Sequence, residues 1–317
     1  MFLASVFLVG VTMPAAAAGP AASRPGPVVV TDDAGRDVSL PRPAQRVVAL
    51  SPALVELAFA AGGGDRLVAV VSGSDQPEAA RALPRIGDSS GLSVEAILAS
   101  SPDLVLAWEG GNDARSLASL RRLGIPVYHS RIGTLDGIAT TLERLGMLFG
   151  SDGKAAAEDF RRRLRQLGPA AQGGGERGGE GGRQGGAAVR VFYQVWDAPL
   201  MTVNDRHWIS DLIGRCGGVN VFGDRPELVP RIGIEAVVVA APEAILAAGP
   251  QPGGRDPLQQ WRRFPGLPAV AGDFLFLVDG DAVSRTTPRT LEAGEAICRY
   301  LGRVRAGRSE PAGKAAR

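Results

Sequence analysis

The chain has 317 residues, of which 45% are apolar and 21% charged, and its formal net charge is +2. This composition predicts a folded globular protein of one large domain or two ordinary ones. The small net charge, with Lys and Arg dispersed along the chain, excludes a dedicated nucleic-acid surface, so no nucleic-acid partner is expected.

The first residues predict an export signal. Phe2 to Met13 form an apolar run that is too short to span a bilayer, and Ala15 to Ala18 supply small-residue cleavage sites. We therefore predict a signal peptide over residues 1–18 and a periplasmic mature protein, although no basic segment precedes the apolar run. No Cys follows it, which argues against a lipid anchor. A short buried helix is the alternative interpretation.

An α/β lobe is predicted over residues 28–132. A β-rich opening contains a turn signal at Asp33 to Arg36, and Ser51 then caps a helix that has Pro52 at its first position. Further along, short apolar runs alternate with helical patterns; the strands are predicted at 46–50, 67–71, 104–108 and 127–129, and the helices at 94–100 and 117–123. This alternation predicts a parallel sheet covered on both faces.

A long helical pattern follows the first lobe. Over residues 133–168 an apolar stripe at helical spacing predicts one stiff helix that joins two lobes. Residues 169–187 are rich in glycine and polar side chains and predict a disordered loop. A second α/β lobe is predicted over 188–303, and a disordered tail over 304–317.

Two stretches of the chain repeat each other at a distance of 140 positions. Glu95 stands seven residues before Pro102, and Glu235 stands seven residues before Pro242. Each Pro is followed by an acidic residue and a short apolar run. A repeat of this length is too long for a solenoid and indicates two similar lobes.

Cys216 and Cys298 are the two cysteines of the chain. An even count in an exported protein favours a disulfide, with two unpaired buried thiols as the alternative. A bridge would close a loop of about eighty residues and stabilise the fold by roughly 4 kcal/mol in the chain-entropy model.

Several segments between residues 45 and 301 resemble a known family. They are Arg46 to Pro52 with Glu56 to Gly62, Pro102 to Trp108 with Gly110 to Asn112, Cys216 to Asn220, and Arg285 to Arg289. The chain resembles the periplasmic cobalamin-binding proteins of the BtuF family, which belong to the class III, or helical-backbone metal receptor, solute-binding proteins of ABC importers. The resemblance implies two α/β lobes joined by one long helix, a ligand cleft between them, and a disulfide between Cys216 and Cys298.

The resemblance also gives Glu95 and Glu235 a role. It implies that each carboxylate docks onto arginines of the membrane permease dimer, one from each lobe. Two charged points fix orientation and raise the association rate more than they raise affinity. The alternative is that each Glu only stabilises the first turn of its helix through the helix dipole.

A corrin ring has a broad apolar face ringed by amides, and it needs aromatic walls with a few polar groups. The resemblance places Trp108, Asp281 and Arg285 in contact with the ligand. Core packing is the alternative for Trp108, and a local salt bridge is the alternative for the other pair. Ser51 and Pro52 begin a helix that faces the cleft, where backbone N–H groups would meet the ligand; ordinary capping is the alternative.

Three positions depart from the family pattern. Gly73, Ser89 and Val229 stand where the cobalamin binders carry cleft aromatics. Trp196 and Trp208 are candidates to replace that aromatic surface.

The two histidines are candidate metal ligands. His207 is a candidate axial ligand to cobalt or haem iron, and His129 is a weaker one. A surface or structural role is the more common state of a lone histidine.

We therefore predict a monomeric solute-binding protein that holds cobalamin or a related corrinoid as cargo and has no resident cofactor. A haem or ferric-siderophore receptor of the same fold is the first alternative. An enzyme is the second, but two histidines and the absence of a P-loop, an HExxH motif or a nucleophile elbow leave only paired carboxylates for catalysis.

Overall fold

The computed structural model describes residues 26–88, 91–168, 187–249 and 254–309. The predicted signal peptide, most of the Gly-rich segment and the end of the tail lie outside these residues. Among the described residues, none of the helices combines the length and the apolar character needed to cross a bilayer.

The N-terminal lobe contains one parallel sheet and an antiparallel hairpin. The elements in chain order are β1 (Val28–Thr31), β2 (Asp37–Leu40), β3 (Val47–Ala49), α1 (Pro52–Ala60), β4 (Leu67–Val70), α2 (Val94–Ala99), β5 (Leu104–Trp108), α3 (Ala114–Arg122) and β6 (Val127–Ser130). The hairpin is β1–β2, and the sheet has the order β4-β3-β5-β6 with every pair parallel. The predicted alternation of strands and helices is confirmed.

Two helices follow the first lobe, where the sequence predicted one. They are α4 (Leu135–Phe149) and α5 (Gly153–Gln166). Gly150 ends α4 with a left-handed backbone, and Asp152 caps α5, so the chain reverses. Asp136 at the start of α4 pairs with Arg161 on α5 at 2.9 Å, which shows that the helices lie side by side and antiparallel.

Glycine at the crossing of these helices allows their close approach. A Cβ atom on Gly153 would lie 2.2 Å from the carbonyl oxygen of Leu142, and one on Gly146 would lie 2.5 Å from the Gly153 backbone. The prediction of a single stiff helix over 133–168 is therefore wrong. The apolar stripe resumes after the break at Gly150 because both helices bury apolar side chains in one core.

The C-terminal lobe is built like the first. Its elements are β7 (Val189–Gln194), β8 (Trp196–Asp197), β9 (Leu200–Met201), α6 (Trp208–Arg215), β10 (Gly218–Asn220), α7 (Ile234–Ala240), β11 (Ala244–Gly249), α8 (Pro268–Ala271), β12 (Leu275–Asp279), α9 (Gly280–Ser284) and α10 (Thr290–Ser309). The parallel sheet has the order β10-β7-β11-β12, and β8–β9 form a small hairpin. The predicted fold class, two α/β lobes with parallel sheets, is confirmed.

The repeat of 140 positions is structural. Residues 91–100 and 231–240 have the same residue-by-residue pattern of exposure. Ser101 and Ala241, which are 140 positions apart and lie just beyond the ends of α2 and α7, have positive φ values of 48° and 41°. Asp103 accepts a hydrogen bond from the backbone N–H of Arg46, and Glu243 accepts one from that of Arg190. A carboxylate at the equivalent position therefore connects the equivalent pair of strands in both lobes.

One hydrophobic core runs through both lobes. The inner faces of the two sheets, with side chains such as Leu106 and Leu246, share it with α4, α5 and α10. The outer face of each sheet has its own smaller core, so alternate strand residues point to different cores. Since the shared core is continuous, the lobes are held together by buried apolar contact as well as by the chain.

The C-terminal region is more ordered than predicted. Cys216 and Cys298 form the disulfide, which links the end of α6 to α10. Helix α10 continues to Ser309, although a disordered tail was predicted from 304. Val304 is buried, and Arg308 forms an ion pair with Glu243 at 2.5 Å. The burial of Val304 and the ion pair of Arg308 stabilise the helix in a segment whose composition is mainly polar.

Candidate functional site

A cavity of about 490 Å³ lies between the lobes. It opens at the carboxyl ends of the N-terminal parallel strands, where open α/β sheets usually bind ligands. Both lobes contribute to its wall, which consists of Ser51, Pro52, Ala53, Leu54, Leu57, Trp108, Ser130, Arg131, Ile132, Gly133, Trp208, Leu228, Ser284, Arg285 and Thr286. The wall is mainly apolar, with its hydroxyl and guanidinium groups at a few positions.

Ser51 and Pro52 lie in this wall at the start of α1. The Ser51 hydroxyl accepts a hydrogen bond from the N–H of Leu54 at 3.3 Å, so it caps the helix. Pro52 has no N–H and therefore offers the ligand only an apolar ring. The expectation that both residues donate backbone N–H groups is corrected for Pro52.

Trp108 lies in the wall at the end of β5, and 48% of its surface is exposed. Two neighbours set its position. The Asn112 side-chain oxygen accepts a hydrogen bond from the backbone N–H of Trp108 at 2.7 Å. The indole lies directly over Gly111, where a Cβ atom would be 1.9 Å from the ring. The ring is therefore held towards the cavity by groups behind it.

The two tryptophans Trp208 and Trp196 differ in their position relative to the cavity. Trp208 lies in the cavity wall, and its indole N–H donates to the carbonyl of Val283 at 3.1 Å. Trp196 is half-exposed on β8, donates to the carbonyl of Ala198, and does not contribute to the wall. Of the two tryptophans predicted to replace missing aromatics, the structure brings one to the cavity.

His207 is not placed to bind a metal in the cleft. Its Nδ1 accepts a hydrogen bond from the N–H of Ile209 and caps α6. Its ring packs against that of Trp208 at a tilt of 32°, with the ring centroids 3.7 Å apart. Burial lowers the pKa of His207 to about 4, so it is neutral at neutral pH. Among the described residues, no group of three or more His, Cys, Asp or Glu side chains is arranged to hold a metal ion.

His129 is also a structural residue. It is buried on β6, outside the cavity wall, and its Nε2 accepts a hydrogen bond from Arg121 at 2.8 Å. Burial, followed by the charge of Arg36, lowers its pKa.

Arg285 lies in the cavity wall, and Asp281 lies behind it. The two form an ion pair at 2.9 Å across one turn of α9, which is the local salt bridge considered as the alternative. Arg285 also pairs with Glu56 of α1 at 2.9 Å. We did not predict this contact from the sequence, although an acidic residue inside an otherwise apolar helix was a signal for a buried partner.

The positions without aromatics differ in their surroundings. Gly73 has a φ of +77°, and a Cβ atom there would meet only Pro52, at 3.7 Å. Val229 is absent from the wall, but its neighbour Leu228 contributes to it and is 45% exposed. Ser89 lies outside the described residues. The apolar surface at this end of the cavity therefore comes from an aliphatic side chain.

Glu95 and Glu235 occupy the same position in the two lobes. Each lies in the first turn of its helix, α2 or α7, and each is exposed. A helix that returns between two parallel strands begins at the edge of the sheet where the first strand ends. Both carboxylates are therefore on the side of the molecule where the cavity opens.

The chain is similar to known proteins over most of its length. The family model described as "Periplasmic binding protein" matches residues 47–282. A Vitamin B12-binding protein of Vibrio cholerae is 38% identical over 263 residues, which are 82% of this chain and 90% of that protein.

Solved structures of periplasmic binding proteins are also similar to this chain. The periplasmic vitamin B12-binding protein BtuF of Vibrio cholerae matches with a TM-score of 0.68 and 36% identity, over 84% of this chain and 99% of that one. The periplasmic haem-binding protein HutB of the same organism matches with a TM-score of 0.67 but 20% identity, over 81% and 98% of the chains. Because the identity to HutB is only 20%, this similarity shows the fold alone.

Proposed function

The chain belongs to the periplasmic binding protein family, and on this premise we propose that it is the solute receptor of an ABC importer with a corrinoid, cobalamin or a close relative, as its cargo. Periplasmic binding proteins are solute receptors and not enzymes, in agreement with the prediction that this chain is not an enzyme. The proposal includes export to the periplasm by the leader predicted over residues 1–18.

The observation that carries the proposal is the composition of the inter-lobe cavity. Trp108 comes from the N-terminal lobe and Trp208 from the C-terminal lobe, and the remaining wall is mostly aliphatic. Such a cleft suits a broad apolar macrocycle, because apolar walls bury its faces. Ser130 and Thr286 offer hydroxyl groups for the amides at the edge of a corrin.

The cavity disfavours the two alternative ligands. Among the described residues, its wall contains no His, Tyr, Cys or Met, which are the side chains that hold haem iron. A ferric siderophore with negative charge would need a basic cleft. The charge of Arg285 is already balanced by Glu56 and Asp281, which leaves Arg131 as the cationic group in the wall.

Titration with four ligands tests the proposal. Purified protein is titrated with cyanocobalamin, dicyanocobinamide, haemin and a ferric hydroxamate, and binding is followed by calorimetry and visible spectra. We expect one corrinoid per chain and no saturable binding of haemin or hydroxamate. Binding of haemin or of the hydroxamate without binding of either corrinoid would overturn the proposal.

We also propose that the protein acts as a monomer that docks on the permease dimer through Glu95 and Glu235. The two carboxylates are exposed, occupy equivalent positions and lie on the side where the cavity opens. A receptor that delivers its cargo must present this side to the membrane. Paired charges at the two lobes would align the cavity with the entrance of the permease.

A further inference from the structure

We propose that Glu56 is a positioning residue that fixes Arg285 in the ligand cavity and holds the two lobes in their binding geometry. Glu56 belongs to α1 of the N-terminal lobe, whereas its partners belong to the C-terminal lobe more than 200 positions later in the chain. The inference rests on the proposed function for the ligand, but the contact itself is independent of any ligand.

The Glu56 carboxylate is buried, with only 5% of the side chain exposed, and both oxygens have partners. Oε1 accepts from Nη1 of Arg285 at 2.9 Å and lies 3.7 Å from Nη1 of Arg289. Oε2 accepts from the Thr287 hydroxyl at 3.0 Å. Two cations and a hydroxyl from one loop therefore satisfy one buried anion from the opposite lobe.

The loop that carries these partners is itself braced. The Thr290 hydroxyl donates to the carbonyl of Arg285 at 2.8 Å, and Thr287 and Thr290 are completely buried. The backbone of residues 285–290 is thus held within the C-terminal lobe. The guanidinium of Arg285 stands at the cavity, and the ion pair with Glu56 decides its direction.

The cluster links the ligand site to the joint between the lobes. Helix α1 forms one wall of the cavity with residues that include Pro52, Leu54 and Leu57, and the opposite wall includes Ser284 to Thr286. The ion pair between Glu56 and Arg285 connects these two walls. Without its negative charge, Arg285 would have only exposed Asp281 as a close anionic partner, and ligand binding would have to order the arginine and both walls.

Two substitutions and their combination test the proposal. Glu56→Gln keeps the shape and removes the charge, and Arg285→Gln removes its main partner. We expect Glu56→Gln to raise the Kd for cyanocobalamin ~10- to 100-fold, as for the loss of one charge-assisted hydrogen bond. In the Arg285→Gln background the same substitution should raise Kd less than about twofold, because Glu56 acts through Arg285.

The matched control is Glu292→Gln. Glu292 is exposed on α10, 4.0 Å from Arg289, and does not reach the cavity, so the same chemical change should leave Kd within about twofold. A wild-type Kd in Glu56→Gln, or effects of the two single substitutions that multiply in the double variant, would overturn the proposal.

Hydrogen exchange without ligand separates this proposal from the proposed function. In the ligand-free protein, the backbone N–H groups of residues 285–290, of which Pro288 has none, should exchange faster in Glu56→Gln than in the wild type. In Glu292→Gln they should exchange at the wild-type rate. If the wild type binds no corrinoid but this exchange pattern is found, the proposed cargo is wrong and the lobe contact stands. Unchanged exchange in Glu56→Gln overturns the contact.

Thr287→Val removes only the hydroxyl donor to Glu56 and replaces Glu56→Gln in both measurements if that variant does not fold. We expect it to raise the Kd and the exchange rate in the same direction, but by less.

Discussion

His207 makes the stability of the fold depend on pH in a calculable way. Burial lowers the pKa of His207 to about 4, whereas an unfolded chain has the ordinary value of about 6.5. Below pH 6.5 the unfolded chain therefore takes up a proton that the folded protein refuses. Stability that is complete above pH 6.5 is lost progressively as the pH falls towards 4.

The size of the loss follows from the two pKa values. The difference costs about 1.4 kcal/mol at pH 5.5 and about 3 kcal/mol at pH 4, relative to neutral pH. His207→Asn removes the titrating group and keeps a side chain that caps helices well, so the helix should still begin at the same place. Loss of the ring contact with Trp208 lowers stability by an amount that does not vary with pH.

Urea denaturation at several pH values between 4 and 7.5 measures the effect. The difference in unfolding free energy between wild type and His207→Asn should shrink by about 3 kcal/mol from pH 7.5 to pH 4. His129 and the carboxylates titrate in both proteins and cancel in the difference. Parallel pH profiles for the two proteins would refute the reasoning and would show that His207 keeps an ordinary pKa in the folded state.

Three further predictions concern the disulfide, the cavity and the docking surface. Replacing Cys216 and Cys298 by Ser should lower the unfolding free energy by about 4.5 kcal/mol, because the bridge closes a loop with a separation of 82 residues; urea denaturation that shows no change would contradict it. Gly111→Ala should displace the Trp108 indole and raise the Kd for cyanocobalamin at least ~10-fold, whereas Gly214→Ala, where a Cβ atom meets open space, should not; calorimetry that finds equal Kd values would show that the indole is not held by Gly111. Replacing Glu95 and Glu235 by Ala should abolish corrinoid uptake by cells while the Kd of the purified protein stays the same; retained binding to the permease would count against docking through these residues.

Local signals in the sequence predicted most of the elements. Strand β5 was predicted at its observed bounds, because residues 104–108 form a short apolar run between helical patterns. The cap at Ser51 was predicted because the pairing of a hydroxyl residue with a following Pro is a local property of helix starts. The repeat of 140 positions predicted the second lobe, because segments with the same spacing of Glu, Pro and apolar residues are expected to form the same elements.

The linking segment shows where local signals mislead. The apolar stripe over 133–168 has the period of a helix, but periodicity does not distinguish a straight helix from two that pack on the same core. Gly150 was visible as a break, whereas the antiparallel return depends on the contact of Gly146 with Gly153 and on the pairing of Asp136 with Arg161. Contacts between residues this far apart are not encoded in a local pattern.

The sequence by itself predicted the fold class, the two similar lobes and the equivalent positions of Glu95 and Glu235, since each follows from the alternation of elements, from spacing or from repetition. Only the tertiary structure decided which side chains meet in the cavity. It brought Trp208 to the wall and left Trp196 outside, buried His207 as a helix cap, and joined Glu56 to Arg285. The physical reason is that burial and ion pairing depend on how distant segments of the chain pack against each other, which a local sequence pattern does not encode.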